Sequence, residues 1–414
     1  MNIFKTYKGL PKSIYALFFV QVINRLGDFV FPFLSLLLSD KLNFSYTATG
    51  LVVTITSLVQ IPSSILGGRL ADLISRKKIY LVGQGVAALA VFICGIINNS
   101  YIIVVLLITS AFFNGFVRPT ISAVMADVLT SENRQIGNSL SYLGINIGVS
   151  LGPIIAGFLF ENYLTLLFIL DAVSSFVAVM IFYIFIEETK PKEGNNEIVN
   201  LNEKEESGNL IQVLLKKPNL TFFLIISMFY SFAYSQINFS MPMTLNEVFK
   251  SDGAKFFGYL ISVNAITVVF LTVVIINITK KFKSLFNIIF AGIFYAIGFG
   301  MIGLIGSSFL LFIISTVLWS IGEILSSTNN GVYIANNSPM NFRARISAVY
   351  NISKSLAAAF GTSTLGKFID NYGVSHVWTL IFITTTIGVG FMIALHLYNL
   401  RNIKKQIISG ETFY

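Results

Sequence analysis

Long apolar runs alternate with short polar interruptions along most of the chain. Each run approaches the length of about 20 residues that a helix needs to cross the hydrocarbon core of a bilayer. The pattern predicts twelve membrane-spanning helices, numbered here as spans one to twelve, at residues 13–38, 47–72, 79–98, 101–126, 136–160, 163–187, 219–248, 253–278, 285–305, 308–334, 343–369 and 374–399.

The composition agrees with this pattern. Hydrophobic residues make up 55% of the 414 residues and charged residues 11%, and the mean hydropathy is +0.77. Because soluble domains carry about 25% charged residues, a water-facing surface could not cover most of this chain. We therefore predict an all-α polytopic membrane protein surrounded by the lipid bilayer of a cell membrane, and we expect a bacterial source.

The basic residues are distributed unevenly between the two sides that twelve spans define. With the N-terminus inside, most of the 28 Lys and Arg residues fall in inner segments, and the outer segments hold only Lys41, Lys250, Lys255 and Lys367. Cytoplasmic loops carry such an excess of positive charge. The distribution predicts that both termini are cytoplasmic. It also accounts for the net charge of +9 without a nucleic-acid partner.

One long polar segment divides the chain. Residues 188–217 are rich in Glu, Lys and Asn and poor in aromatic residues, which predicts a flexible cytoplasmic linker. The domains predicted on either side are an N-terminal six-helix half, 1–187, and a C-terminal six-helix half, 218–400, followed by a cytoplasmic tail, 401–414.

The two halves repeat one another in sequence. The segment from Ala126 to Gly157 aligns without gaps on the segment from Ala335 to Gly366, 209 positions later, and Pro32 matches Pro242. Two pseudo-symmetric halves with a binding site between them, near the middle of the membrane, are typical of secondary transporters.

A distinctive motif lies between spans two and three. The residues Gly68, Leu70, Ala71, Asp72, Arg76, Lys77 and Lys78 form a short basic hairpin between two apolar runs. They resemble the signature G-x-L-A-D-x-x-x-R-K/R-K/R of the major facilitator superfamily, with Ser75 in place of the usual Gly before the Arg. The resemblance implies the major facilitator fold and a transport function.

The same resemblance implies a conformational gate on the cytoplasmic side. In this superfamily, residues matching Asp72, Arg76 and Asp127 form a charge network that holds one conformation closed, and Gly68 and Arg134 lie close to it. The alternative is that these charges only set the topology of the loops.

Span five carries the sequence Gly148-x-x-x-Gly152-Pro153-x-x-x-Gly157. Small residues at four-residue spacing allow close helix packing, and a proline kinks a helix. The pattern also resembles the G-x-x-x-G-P-x-x-x-G motif of the drug:proton antiporter branch of the superfamily. There it implies a hinge and seal between the halves and favours export, whereas the alternative is helix packing alone.

Span four departs from the antiporter pattern. That branch usually carries an Arg four residues before a Gly, but the residue four positions before Gly115 is Ala111. Arg118 lies three residues after Gly115, about one turn from Asn114. Two interpretations remain open: Arg118 replaces the missing arginine beside the cavity, or it extends to the cytoplasmic interface.

Six ionisable residues fall deep within spans, where charges face a partner or a wet cavity; they are Arg25, Asp28, Arg118, Asp171, Glu323 and Lys354. Arg25 and Asp28, three apart, are placed to pair. Glu323, near the middle of span ten, is the main candidate to take up and release a proton, and Asp28 is the next. The alternative for Glu323 is an ion pair with Lys354 or Arg25, and for Asp171 we expect a structural role.

We therefore expect a secondary active transporter that exports small amphiphilic or drug-like compounds in exchange for protons, acting as a monomer by alternating access. The first alternative is a proton-driven importer of a sugar, peptide or other metabolite. A lipid-acting membrane enzyme and a non-transporting receptor are further alternatives. The sequence has no nucleotide-binding loop, no metal-ligand spacing and no nucleophile–base arrangement, so we expect no enzyme activity, catalytic residue, metal or cofactor.

Overall fold

The computed structural model describes residues 7–130, 133–189, 210–339 and 342–408. These residues are helical with short connections and contain no β-strand, which confirms the predicted all-α class. Most of the predicted linker, residues 190–209, and the end of the predicted tail, residues 409–414, lie outside the described residues.

The helices follow one another in an order close to that of the predicted spans. They are α1 (Lys12–Leu26), α2 (Leu34–Leu36, continued by a π-helical turn at Leu37–Lys41), α3 (Tyr46–Leu73), α4 (Arg76–Cys94), α5 (Ser100–Asn114), α6 (Val117–Val128), α7 (Arg134–Asn162), α8 (Leu164–Phe185), α9 (Leu210–Lys216), α10 (Pro218–Ser235), α11 (Ser240–Phe249), α12 (Gly253–Thr279), α13 (Ser284–Ile302), α14 (Phe309–Asn337), α15 (Arg343–Tyr372) and α16 (Val377–Ile408). Single 3-10 turns at Lys250–Asp252 and Val374–His376 precede α12 and α16.

Nine segments of the described residues are long and apolar enough to cross a membrane by length and composition. One of them, Pro218–Thr279, contains spans seven and eight in succession. The two spans outside this group are span one, which is interrupted, and span eleven, whose helix α15 carries many polar residues. All twelve predicted spans are therefore accounted for.

Spans one and seven are discontinuous, and the prediction of one unbroken helix for each was wrong. In span one, α1 ends at Leu26 and α2 begins at Leu34, and in span seven α10 ends at Ser235 and α11 begins at Ser240. Pro32 lies within the first interruption and Pro242 in the first turn of α11. A proline supplies no N–H for the helical ladder, so the repeated proline marks where both helices are interrupted. Matching interruptions in two halves are typical of transporter binding regions.

Span four is also divided, with α5 ending at Asn114 and α6 beginning at Val117. The intervening Gly115 packs closely on span two, because a Cβ atom at this position would lie 2.4 Å from the Ser63 hydroxyl. Glycine therefore permits both the change in helix direction and the close approach of the neighbouring helix.

The interruption of span one is stabilised by a carboxylate from span six. Asp171 in α8 is 7% exposed, and its Oδ2 atom accepts hydrogen bonds from the backbone N–H groups of Phe29 and Val30, both at 3.0 Å. These N–H groups have left the helical ladder and require partners away from water. Asp171 thus has a structural role in capping the broken helix.

We expect Asp171→Ala to lower the thermal stability of the purified protein, because the Val30 N–H would lose its acceptor and the Phe29 N–H would keep only the Gly27 carbonyl oxygen, at 2.9 Å. The cost of one unsatisfied buried group is about 1–3 kcal/mol, which a melting curve in detergent would register as a clear shift. The matched control is Asp252→Ala, which removes an exposed carboxylate 3.9 Å from Lys255. Equal melting temperatures for both variants would contradict the capping role.

The described helices group into two compact units. The first unit contains spans one to six together with Asn238–Ala265, which includes α11 and the beginning of α12. The second unit contains α9, α10, the remainder of α12, and α13 to α16.

Polar side chains join three helices within the first unit. Asn24 in α1 donates a hydrogen bond to Gln84 in α4 at 3.1 Å, and Gln84 donates to Ser175 in α8, also at 3.1 Å. Beside them the Tyr80 and Phe182 rings stack with their centroids 3.7 Å apart. Such interhelical hydrogen bonds are used between membrane helices, where lipid provides no hydrophobic drive for association.

Candidate functional site

A polar cavity of about 270 Å³ lies within the second unit. Helices α10, α13, α14 and α15 surround it, and each contributes at least one tyrosine or charged side chain. The aromatic part of the lining consists of Tyr230, Tyr234, Tyr295 and Tyr350, and the charged part of Glu323 and Lys354. Aromatic faces, hydroxyl groups and two opposite charges in one small cavity suit an organic ligand with polar groups.

Glu323 is held at the wall of this cavity by a tyrosine. The Tyr234 hydroxyl donates a hydrogen bond to Glu323 Oε1 at 2.7 Å, and the Tyr234 ring contacts the Tyr295 and Trp319 rings edge-on or tilted. The preceding Gly322 lets α13 approach, since a Cβ atom there would lie 2.9 Å from the Ala291 carbonyl oxygen. The Gly-Glu pair thus combines tight helix packing with a carboxylate in the cavity.

Lys354 belongs to the same cavity through Tyr350, four residues earlier on α15. Its ammonium lies 5.6 Å from the centroid of the Tyr350 ring, within the range of a cation–π contact. The Tyr350 hydroxyl receives a hydrogen bond from Asn330 Nδ2 at 2.6 Å, and the same amide donates to Ser326 at 2.7 Å. Glu323 and Lys354, singled out separately in the sequence, therefore line one cavity with hydrogen-bonding groups beside them.

Sequence reasoning missed the tyrosine and serine lining. The signal was present in span seven, where Ser227, Tyr230, Ser231 and Tyr234 recur at helical spacing and all line the cavity. A polar stripe at positions i, i+3, i+4 and i+7 of an apolar helix marks one face.

Arg25 and Asp28 lie in the first unit at the end of α1. Arg25 Nη1 is 3.1 Å from Asp28 Oδ2, so the pairing predicted from their three-residue spacing is present. Asp28 follows the last residue of the helix by two positions and adjoins the backbone that Asp171 caps. The pair is therefore located at the interruption of span one.

Asn114 and Arg118 lie on opposite sides of the interruption of span four. Asn114 is the last residue of α5 and is partly buried, whereas Arg118 is exposed in the first turn of α6. Ala111, at the position where the antiporter branch carries its arginine, is fully buried. Arg118 therefore does not occupy the enclosed position of the antiporter arginine, and both interpretations of Arg118 stay predictions.

The structure brings Asp72, Arg76 and Asp127 together. The Arg76 guanidinium forms an ion pair with Asp127, lies 3.4 Å from Asp72 Oδ1 and donates to the Ala123 carbonyl oxygen at 3.1 Å. The side chains of Arg76, Asp127 and Asp72 are 8%, 18% and 61% exposed. Arg76 is therefore the buried centre of the network, and Asp72 is its solvent-exposed member. Arg134 begins α7, and its side chain lies outside the described residues.

Glu188 joins this network and was not anticipated from the sequence. Its carboxylate accepts hydrogen bonds from the Arg76 backbone N–H at 2.9 Å and from the Ser75 hydroxyl. Ser75 in turn accepts from the Lys78 N–H at 3.0 Å, as an N-cap residue does. The Ser75 departure from the family signature thus supplies a helix cap, and Glu188 ties the end of span six to it.

Close packing at the signature occurs at Gly67 rather than at Gly68. A Cβ atom on Gly67 would lie 2.6 Å from the Phe116 Cα atom, whereas the nearest atom to one on Gly68 is the Pro119 Cβ at 3.6 Å. The family motif emphasises Gly68, but the approach of span four requires the absence of a side chain at Gly67.

The glycines of the span-five motif pack against two different helices. Cβ atoms on Gly148 and Gly152 would lie 2.5 Å from Arg25 Cβ and 2.6 Å from the Leu26 carbonyl oxygen, in α1. A Cβ atom on Gly157 would lie 2.8 Å from the Ala254 carbonyl oxygen in α12. In the reverse direction, a Cβ atom on Gly258 of α12 would meet the Pro153 carbonyl oxygen of α7. The motif therefore joins α7 to α1 and α12 within the first unit, which accords with the predicted close packing.

We expect Gly152→Ala to reduce transport at least tenfold and to lower the melting temperature, because the new methyl group would meet backbone atoms that cannot rotate away. The matched control is Gly85→Ala in α4, where no atom lies within 4 Å of the added Cβ. Transport and melting curves of the two variants provide the comparison. Wild-type behaviour of Gly152→Ala would mean that the helices tolerate separation at this point.

Two helical units, nine segments of the described residues that are apolar enough to cross a membrane, and a polar cavity between helices are typical of a polytopic membrane transporter. The chain belongs to the Major Facilitator Superfamily, whose sequence model matches residues 17–362. It is 22% identical over 411 residues to a Na(+), Li(+), K(+)/H(+) antiporter of Planococcus maritimus, covering 90% of this chain and 93% of the relative. Family membership confirms the prediction of a transporter rather than an enzyme.

Two further similarities concern part of the chain and its fold. Quinolone resistance protein NorA of Staphylococcus aureus is 30% identical over 155 residues, covering 37% of this chain and 39% of NorA. A solved structure of a mutant of the peptide transporter POT in complex with sulfate superposes with a TM-score of 0.79 at 15% identity, covering 95% of each chain. The second similarity confirms the major facilitator fold.

Proposed function

We propose that this protein exports small amphiphilic or drug-like compounds in exchange for protons. The observation that carries the proposal is Glu323, a carboxylate in the middle of a membrane helix that receives a hydrogen bond from Tyr234 at 2.7 Å beside a polar cavity. Such a carboxylate binds either a proton or a cationic group of the substrate. Because the two compete for one site, proton binding on one side of the membrane releases substrate there.

The direction of transport is inferred from two similarities. The span-five motif from Gly148 to Gly157 resembles that of the drug:proton antiporter branch, and its glycines pack closely on α1 and α12. The partial relative NorA is named for quinolone resistance, which accords with export. Asp28, paired with Arg25 at 3.1 Å, is proposed as a second proton-binding candidate.

We further propose that the network of Asp72, Arg76 and Asp127 stabilises one conformation of the transport cycle from the cytoplasmic side. The basic loops support a topology with both termini in the cytoplasm. Each chain contains a complete cavity in its second unit, which supports a monomer as the transporting species.

The experiment uses purified protein in proteoliposomes with an imposed pH gradient and a panel of amphiphilic compounds. An exchanger accumulates substrate on the acidic side, and adding substrate to the other side drives protons out, as a trapped pH-sensitive dye reports. A proton-driven importer would instead move substrate and protons in the same direction. No substrate-dependent proton movement across the panel would overturn the proposal.

A second candidate function is exchange of monovalent cations for protons. It is favoured by the nearly full-length similarity to the Na(+), Li(+), K(+)/H(+) antiporter. In the same proteoliposomes, proton release on addition of NaCl or KCl but not of organic compounds would support this candidate over drug export.

A further inference from the structure

An apolar groove of about 480 Å³ lies on the second unit, between α10 and α16. The buried side chains of Ile226 and Leu395 form its floor, and the exposed rings of Phe222 and Phe391 stand beside them. Of the described residues that line the groove, only Tyr398 carries a polar side-chain atom. The groove therefore suits a hydrocarbon chain and offers almost no hydrogen bonds to a polar ligand.

The two helices meet at one end of the groove. A Cβ atom on Gly388 of α16 would lie 2.8 Å from the Phe229 Cβ atom of α10, and the Phe229 and Phe391 ring centroids are 6.0 Å apart. From this crossing the lining extends along α10 to Phe222 and along α16 to Tyr398. Each stretch covers seven residues of helix, which is about 10 Å. The groove thus runs along the two helices, away from their contact.

The other end of the groove lies at the membrane surface that the excess of basic residues predicts to be cytoplasmic. The predicted span seven begins at residue 219 and span twelve ends at residue 399, close to Phe222 and Tyr398. Phe229 lies ten residues after position 219, or about 15 Å along the helix. Because the hydrocarbon core is about 30 Å thick, the groove occupies the depth of one leaflet.

Basic residues adjoin the groove at this surface. Arg401 follows Tyr398 by three residues on α16, so the two are neighbours on the helix surface. Lys217 is the N-cap of α10 and Lys216 precedes it. The side chains of Lys216 and Arg401 are exposed. Basic pockets between membrane helices on the cytoplasmic side bind anionic lipid headgroups, so the charge here complements such a headgroup.

We propose that this groove binds an acyl chain of an anionic phospholipid from the cytoplasmic leaflet, with Lys216 and Arg401 attracting its phosphate group. A cationic amphiphile would fit the apolar lining but would be repelled by the basic residues at its end. The site is separate from the polar cavity and does not depend on which compound the protein transports.

The test is native mass spectrometry of the purified full chain, titrated with palmitoyloleoyl phosphatidylglycerol or with the phosphatidylcholine that has the same acyl chains. We expect the wild type to bind one phosphatidylglycerol at least tenfold more tightly than phosphatidylcholine. The double variant Lys216→Gln with Arg401→Gln should weaken phosphatidylglycerol binding about 10- to 30-fold, as expected for two basic residues near a lipid surface, without weakening phosphatidylcholine binding.

The matched control for charge is Lys280→Gln with Lys281→Gln. It removes the same charge from two exposed lysines between α12 and α13, at the same predicted membrane surface, and both lipid affinities should equal those of the wild type. Equal wild-type affinities for the two lipids would overturn the proposal. Equal weakening by the two double variants would also overturn it, because the charges would then attract lipid without a defined site.

A second variant tests the groove itself. Ala394→Phe places a ring in the lining and should abolish the tight phosphatidylglycerol site, whereas Leu397→Phe adds a ring at an exposed position of α16 and should bind as the wild type does. Melting curves establish that every variant is folded. Tight binding retained by Ala394→Phe would overturn the proposal. A dimer of the wild type that Ala394→Phe dissociates would equally do so, because a second copy of the chain would then occupy the groove.

Discussion

Glu323→Gln should abolish substrate accumulation driven by a pH gradient while leaving the protein folded. Glutamine keeps the shape of the side chain and can accept the Tyr234 hydrogen bond of 2.7 Å, but it cannot change charge. With one proton exchanged per substrate, a gradient of one pH unit supports about a tenfold substrate gradient, which corresponds to about 1.4 kcal/mol. The wild type should approach that ratio in proteoliposomes, whereas Glu323→Gln should reach none. Because Gln mimics the protonated state that releases a cationic substrate, exchange of labelled for unlabelled compound without a gradient should persist for the neutral compounds of the panel.

Two comparisons separate this result from a structural effect. Asp252→Asn changes an exposed carboxylate outside the helical spans and should transport normally. If Glu323 instead holds a cation in place, Glu323→Gln should lower the melting temperature, because a positive charge would be left without its partner. Recovery of stability on adding Lys354→Met would then identify that partner. If uptake by Glu323→Gln and its pH dependence equal those of the wild type, Glu323 does not couple protons, and Asp28 becomes the next candidate.

Much of the fold follows from the sequence, because bilayer thickness imposes a fixed length on every span. Predicted spans such as 47–72 and 163–187 differ by only one or two residues from α3 (Tyr46–Leu73) and α8 (Leu164–Phe185). The interruptions were not predicted, although Pro32 and Pro242 were recognised as a repeat. Hydropathy indicates whether a segment can cross the membrane. It does not show where the helical hydrogen bonds are interrupted, because that depends on acceptors distant in sequence, such as the Asp171 carboxylate.

The candidate site was predictable only in part for a related reason. Rare charged residues within spans are conspicuous, and Glu323 and Lys354 were found in this way. Tyr234, Tyr350 and Asn330, which contact or neighbour them, belong to residue types that also occur on lipid-facing and packed surfaces. Which face of a helix lines a cavity depends on helix rotation, and helix packing sets that rotation.

Arg76→Ala should reduce the transport rate at least tenfold while leaving equilibrium substrate binding within about twofold of wild type. Arg76 is 8% exposed and pairs with Asp127, which is 18% exposed. Its removal leaves a largely buried carboxylate without its partner, at a cost of about 3–5 kcal/mol. If the network forms in one conformation of the cycle, a loss of this size shifts the population of that conformation more than 100-fold.

The three residues should differ in effect according to their burial. The loss of transport rate in Asp127→Asn should be similar to that in Arg76→Ala. The loss in Asp72→Asn should be the smallest of the three, because Asp72 is 61% exposed and water screens its interaction with Arg76 at 3.4 Å. Lys78→Ala is the matched control, as Lys78 is an exposed basic residue two positions along α4. This order would not arise if the charges acted only as topological signals.

Thiol labelling from each side of the membrane measures to which side the cavity is open. The background variant is Cys94→Ala, which removes the one native cysteine, a buried residue, and Ser327→Cys places a thiol in the cavity lining. Arg76→Ala should change the side from which this thiol is labelled, and Lys78→Ala should not. Loss of substrate binding with unchanged labelling would place Arg76 at the substrate site instead of at a gate, because a gate residue alters access to the cavity and not the affinity within it.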